Sequence, residues 1–306
     1  MSTALPAAFG IIADQLLGEP PVSPHPVALF GRAMRAVEQR CYRDRRSAGI
    51  LHAAIGVGAG LATGSALRST ALATYMAVAG RSLGDAATQV ADALEAGHLD
   101  LARALLPALV GRDPTGLDDK EITRAVVESV AENTVDAVVA PALWAALGGA
   151  PGALGYRAVN TLDAMVGHRS PRYRRYGWAS ARLDDGAGWV PARVTAVLVA
   201  LARPSAATEV WRTVRRDAGA HPSPNGGVAE SAFAAALGLR LGGINRYGTP
   251  PRVELRPTLG TGRPPERADI ARAVALSRDV ALVLAAALTA AGVLARRPPS
   301  RPRPRP

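Results

Sequence analysis

RDPTGLDDKEITRAVVESVAENTVDAVVAP, residues 112–141, is the stretch on which the reading of this chain turns. Its opening predicts a capped helix. Thr115 or Asp118 can accept from the free amides of a first turn, and Asp119 and Glu121 sit where the helix dipole favours negative charge. Glu121, Arg124, Glu128, Glu132 and Asp136 then recur every three or four residues and share one face. Ile122, Ala125, Val126, Val130, Val135 and Val138 make the opposite face, with no charge among them. Glu128 and Glu132 repel at i,i+4, as do Glu132 and Asp136, by roughly 0.2–0.5 kcal/mol each in water and by more if buried. On a lone amphipathic helix such a face is ordinarily solvated. Here it leads into residues 137–156, which carry no charge and are broken only by Pro141 and Pro151.

Polar residues return densely in YRAVNTLDAMVGHRSPRYRRYGWASARLDDGAGWVPAR, residues 156–193. Asn160 and Asp163 stand at i,i+3, followed by His168, Arg169, Arg172, Arg174, Arg175, Arg182, Asp184, Asp185 and Arg193. Tyr156, Tyr173, Tyr176, Trp178 and Trp189 are interleaved with them. An acidic stripe and an arginine/aromatic cluster on either side of one apolar segment suit a site for a metal and an anionic ligand.

A length of 306 residues allows one large or two ordinary domains and a substantial core. Polar loops and apolar helices alternate throughout with no repeat and no linker, so 1–295 reads as a single membrane unit and 296–306 as a disordered basic Arg/Pro tail. The net charge of +11 fits nucleic acid, an anionic membrane surface or phosphorylated substrates. Nucleic acid is excluded as a partner, since no DNA- or RNA-binding signature is present and the arginines lie between apolar runs. Cys41, the single cysteine, rules out a disulfide framework or a thiolate metal cluster.

Outward from the centre, residues 4–17 are moderately apolar but lack the basic flank of a cleavable signal. In DQLLGEPPVSPHPVALFGR (14–32) the prolines impose an extended, stiff loop that displays Asp14, Glu19 and His25. Residues 31–46 read as a basic helix or arm. Residues 47–67, uncharged apart from His52 and rich in Gly and Ala, are long enough to cross a bilayer core of about 30 Å. Residues 81–110 show helical periodicity, as two helices joined at Gly97. HPSPNGG (221–227) is a second proline-stiffened loop. Its Asn-Gly-Gly precedes a small-residue helix near Val228 and offers free amides to a phosphate. Residues 245–268 read as Pro/Gly-rich loop and 270–295 as a helix that spans only with Arg278 and Asp279 at the interface.

These motifs carry a resemblance. DQLLGEPPVSPHPVALFG (14–31), the stretch 112–141, YRAVNTLDAMVGHRSPRYRRYGWASARLDD (156–185), WVPARVTA (189–196), SPNGG (223–227) and LGLRLGG (237–243) together resemble the adenosylcobinamide-phosphate synthase family, CobD/CbiB. The family's order is kept, and ESVAEN and VNTLD…M are its specific elements. Ala164, His168 and Gly188 depart from it, standing where Ser, Tyr and Asn are common, so the resemblance does not support His168 as a catalytic base. The resemblance implies an all-α, polytopic bundle in the cell membrane, with proline-rich polar loops forming one site. It implies ATP-dependent amide formation between a propionate of adenosylcobyric acid and aminopropanol or its O-phosphate. Mg²⁺ and ATP are the cofactors expected, the corrinoid and the small amine the ligands, and other corrinoid-pathway enzymes further partners.

On that reading Glu128, Glu132 and Asp163, with Asp184 or Asp185, hold the metal. Arg124, Arg169, Arg182 and Arg193 clamp phosphates, while Asn133 and Asn160 orient ligands. Ser223, Asn225 and Gly226 line the phosphate loop, and His25 is the candidate base, with Glu128 and Asp163 as its catalytic companions. Two other classes remain open: a membrane transport or binding protein for an anionic substrate, and a soluble Ala-rich helical enzyme. Corrinoid-dependent ATP turnover separates the first from the ligase, and membrane pelleting under alkaline wash the second.

Overall fold

The cap falls where the sequence places it. Asp118 accepts from Glu121 N at 2.8 Å while the Glu121 carboxylate accepts from Asp118 N at 3.0 Å, a capping box at the head of α7, Asp119–Thr134. The structure, a computed structural model, describes residues 3–20, 25–111, 113–168, 170–247 and 252–295, with backbone alone for 244–247 and 252–254. Ahead of α7 lie α1 (Ala4–Leu17), α2 (Pro26–Cys41), α3 (Arg46–Leu67), α4 (Thr70–Ala77), α5 (Gly80–Glu95) and α6 (Leu99–Leu105). After it come α8 (Ala140–Leu162), the single turn α9 (Tyr173–Tyr176), α10 (Trp178–Ala202), α11 (Ala207–Asp217), α12 (Gly226–Leu237) and α13 (Ala268–Leu294). The apolar face of α7 is buried throughout, and α7 packs against α5, α12 and α13.

The apolar run after α7 is not one straight helix. Gly149 in α8 has φ 64° and ψ −150°, a combination open almost only to glycine, and Pro151 then starts the second half with its missing amide at a helix N-terminus. The chain doubles back there. A straight helix would separate residues 136 and 156 by roughly 30 Å, yet Tyr156 OH donates to Asp136 Oδ1 at 3.4 Å. Single π-helical turns, Val135–Val139 and Asp163–Gly167, flank this hairpin and carry Asp136 and Asp163.

Small residues set how closely the bundle packs. A Cβ on Gly60 of α3 would stand 2.7 Å from Leu154 O, and one on Gly64 would stand 2.5 Å from Ala150 O. The glycine stripe of 47–67 therefore lets α3 lie backbone to backbone on the second half of α8, a packing mode suited to a lipid setting. Arg46–Leu67, Asp119–Gly167 and Ala268–Leu294 are long and apolar enough to cross a membrane, and the chain is a multi-pass membrane protein. Asp279 of α13 is paired with Arg203 at 2.8 Å, which offsets its charge beside the apolar run.

The bundle is all-α as expected, with one small hairpin added. Residues 245–268, expected as loop, contain most of an antiparallel hairpin, β1 (Leu241–Tyr247) and β2 (Arg252–Leu259). Gly242 and Gly243, at φ 86° and 108°, make the bulge that sets its register. Its base is fixed by Asp269, fully buried and bonded to Arg263 at 2.6 and 3.0 Å and to Arg272 at 2.6 Å. The tail 296–306 lies outside the described residues.

Candidate active site

Between the two π-turns and α10 lies a cavity of about 230 Å³ lined by Glu132, Asp136, Asp163, Asp184 and Asp185, with Ser223, Asn225 and Gly226 on its far wall. Each carboxylate arrives by a different piece of local physics. Glu132 and Asp136 share the acidic face of α7 and its π-turn. Asp163 returns to them because the chain reverses at Gly149. Asp184 and Asp185 come from α10, which is held against the first half of α8 by Trp144 Nε1 donating to Ala187 O at 3.1 Å. Asn160 donates to Asp184 Oδ1 at 3.4 Å. Burial pushes the Asp184 carboxyl up to about 7, and the neighbouring Asp163 adds to the effect while the Asn160 amide opposes it.

The SPNGG loop is fastened to this wall. Asn225 Nδ2 donates to Asp185 O at 2.9 Å, and Arg193 donates to Pro224 O and Asn225 Oδ1 at 3.1 and 3.2 Å. Arg193 also lies 4.3 Å over the Trp189 ring, so it grips the loop instead of facing the cavity as a phosphate clamp. A Cβ at Gly188 would stand 2.7 Å from Asn225 Nδ2, so the departure at 188 leaves room for this amide. The first-turn amides of α12 are not open to a phosphate as expected. Gly226 N donates to Ser223 Oγ, Gly227 N to Ser223 O and Val228 N to Asn225 O. The serine and asparagine that shape the loop also cap the helix behind it.

Other expected residues fall elsewhere. Glu128 is buried on α7 but accepts from Gly242 N at 2.9 Å and lies 3.6 Å from Arg124, so it anchors the hairpin and is outside the cavity. Arg124 lines a different depression with Lys120 and Arg240. Asn133 donates back to Ser129 of its own helix. Arg182 is exposed, 3.5 Å from Asp185. His25 caps α2 through Nδ1, which accepts from Val27 N at 3.4 Å, and its Nε2 is 3.8 Å from Glu19. Arg169 lies outside the described residues.

Residue-by-residue reading missed three contributors. Asp136 was legible, one turn beyond Glu132 on the same face. Tyr156, which bonds Asp136, depends on the chain reversal. His221 under the SPNGG loop is buried, with Nδ1 at 3.1 Å from both the Ser223 amide and carbonyl, and Nε2 2.7 Å from Arg256 and 3.3 Å from Glu230. The Ser223 amide donates to Nδ1, which ties the ring to the loop two residues on. That bond splints the loop.

Among the described residues no three His, Cys, Asp or Glu side chains converge as a ready-made metal cage. The donors lining the cavity are all hard oxygens. They fit Mg²⁺, which keeps waters and uses one or two carboxylates together with substrate phosphates.

Comparison with known proteins identifies the family. The family model described as CobD/CbiB protein matches residues 7–277. Proteins named "Cobalamin biosynthesis protein CobD" are similar throughout. The one from Mycobacterium tuberculosis is 50% identical, covering 96% of this chain and 97% of its own length. Those from Geobacter metallireducens and Pelobacter propionicus are 43% and 42% identical, over 82% and 79% of this chain and 84% and 80% of their own lengths. No solved structure matches. With the family model covering most of its length and a relative half identical from end to end, the chain belongs to the CobD/CbiB family.

Proposed function

We propose that this chain is an ATP-dependent acid–amine ligase of cobalamin biosynthesis, joining a propionate of adenosylcobyric acid to aminopropanol or its O-phosphate. The supporting observation is the carboxylate cavity, assembled from α7, α8 and α10 and faced by a splinted Ser/Asn/Gly loop. A membrane carrier typically holds isolated intramembrane carboxylates; five lining one cavity favour the enzyme.

The chemistry explains why such a site is needed. A free carboxylate cannot acylate an amine at neutral pH, because oxide does not leave. A propionate oxygen attacks the γ-phosphorus of ATP, the bond to the β-phosphate oxygen breaks, and ADP departs. The amine nitrogen then attacks the acyl carbon and inorganic phosphate leaves with the former carboxylate oxygen. Phosphoryl transfer asks the protein chiefly for position and charge balance. Mg²⁺ held by Asp163 or Asp184 together with phosphate oxygens of the substrate, with the other cavity carboxylates near, would neutralise the charge that accumulates on the transferring group. Asn160 fixes the orientation of Asp184, and Ser223 and Asn225 present polar side chains to the opposite side of the ligand.

The attacking amine must shed a proton. In neutral His25 the cap bond at Nδ1 places the hydrogen on Nε2, which makes that atom a donor. We therefore assign the proton to the Glu19 carboxylate beside it.

The test is corrinoid-dependent ADP release by the detergent-purified protein. Wild type should require both corrinoid and amine. Asp163→Asn should lose at least ~100-fold of turnover, within the range for removing one element of charge stabilisation, while melting at a similar temperature. Near-normal turnover by a folded Asp163→Asn protein would remove the cavity from the mechanism.

A further inference from the structure

Arg157 sits on α8 one position past Tyr156 and one turn before Asn160, both of which reach cavity carboxylates. Its side chain is half-buried and its Nε is sealed from solvent without a hydrogen-bond partner. Among the described residues no hydrogen bond or ion pair reaches its guanidinium. The carboxylates that act on it, Glu19 and Asp136, do so across space. Leaving the sealed Nε–H unused is costly, so the group is set for something that the polypeptide does not supply. His25 points the same way. Its Nε2 is also buried without a hydrogen bond, 3.8 Å from Glu19. Glu19 therefore links the two, acting on the Arg157 charge and standing 3.8 Å from His25.

Guanidinium and imidazole N–H groups suit an oxyanion, and the guanidinium can bind phosphate or carboxylate through two parallel bonds. Glu19 beside them suits a cation. A ligand carrying both charges a few bonds apart is a phosphorylated amino alcohol. The geometry points to Arg157, Glu19 and His25 as the recognition subsite for the phosphorylated amine, the guanidinium holding phosphate and Glu19 the ammonium. The inference rests on the ligase reading for its choice of ligand. It places the amine beside the cavity, so that release of its proton to Glu19 frees the nitrogen for attack.

Binding of aminopropanol O-phosphate to the full-length protein in detergent tests this without ATP or corrinoid, with unphosphorylated aminopropanol as control. Wild type should bind the phosphate ester at least tenfold more tightly than the alcohol. Arg157→Gln should abolish that preference, Arg157→Lys should restore part of it, and Glu19→Gln should weaken both ligands. Without ligand, Arg157→Gln should melt no lower than wild type, because the guanidinium makes no bond to lose. Should Arg157→Gln fail to fold, Arg157→Lys is read alone, with a loss of preference of about three- to tenfold. Unchanged preference in Arg157→Gln, or in Arg157→Lys if that variant is read alone, overturns the assignment. So does a wild type indifferent to the phosphate, or a loss confined to corrinoid KM in turnover, which would mean that a propionate sits there. Intact phosphate preference in a wild type that releases no ADP with corrinoid would sink the ligase reading and leave this subsite standing.

Discussion

At the scale of single residues, chemistry separates side chains that look alike in sequence. Glu128 and Glu132 are four residues apart on one face, and both read as metal ligands. Glu128 is spent on the Gly242 amide, while Glu132 lines the cavity. Sequence spacing gives the face of a helix and not what packs over it, and the hairpin that claims Glu128 is more than a hundred residues away. His25 shows the same limit, since its neighbours predict a fixed ring but not that capping fixes its tautomer. Asp184 yields a prediction with a definite sign. Its carboxyl is raised to about 7 in the folded chain, against 3.8 when unperturbed. The folded state therefore holds a proton that the unfolded state has lost across that window, and stability must fall as pH rises through it. In chelator, the melting temperature should drop between about pH 5 and 7.5. Mg²⁺ should recover it at the upper end, and Asp184→Asn should flatten the slope. A wild-type melting temperature that rises over this range, or an unchanged slope in the variant, would contradict the assignment.

At the scale of elements, the decisive feature is the reversal at Gly149. The capping box, the buried face of α7, the two helices joined at Gly97 and the glycine-rich α3 were all legible, because each follows from local periodicity or a local cap. The run 137–156 was read as one apolar segment, although Gly148-Gly149-Ala150-Pro151 held the signal that it turns. The hairpin at 241–259 was hidden in residues that resemble loop, since its strands pair only once the bulge at Gly242 and Gly243 sets the register. Gly149→Ala puts a side chain at φ 64°, ψ −150°, at a cost of about 1–3 kcal/mol. It should lower the melting temperature and also depress turnover, because Asp136 and Asp163 face each other only through that turn. Wild-type melting and turnover in Gly149→Ala would show that the reversal does not organise the site.

At the scale of the whole molecule, the bundle reconciles two demands. Small residues let α3, α8 and their neighbours approach closely enough to suit lipid. The polar residues collect where a folded-back helix, α10 and the SPNGG loop surround one cavity. The central claim is that the cavity between α7, α8 and α10 is where metal and nucleotide meet. Mn²⁺ in place of Mg²⁺, located by its anomalous scattering in a crystal grown with a non-hydrolysable ATP analogue, tests it directly. The account predicts Mn²⁺ bound by Asp163 or Asp184 together with phosphate oxygens of the analogue. Mn²⁺ and nucleotide bound elsewhere, with these carboxylates facing only solvent, would contradict it.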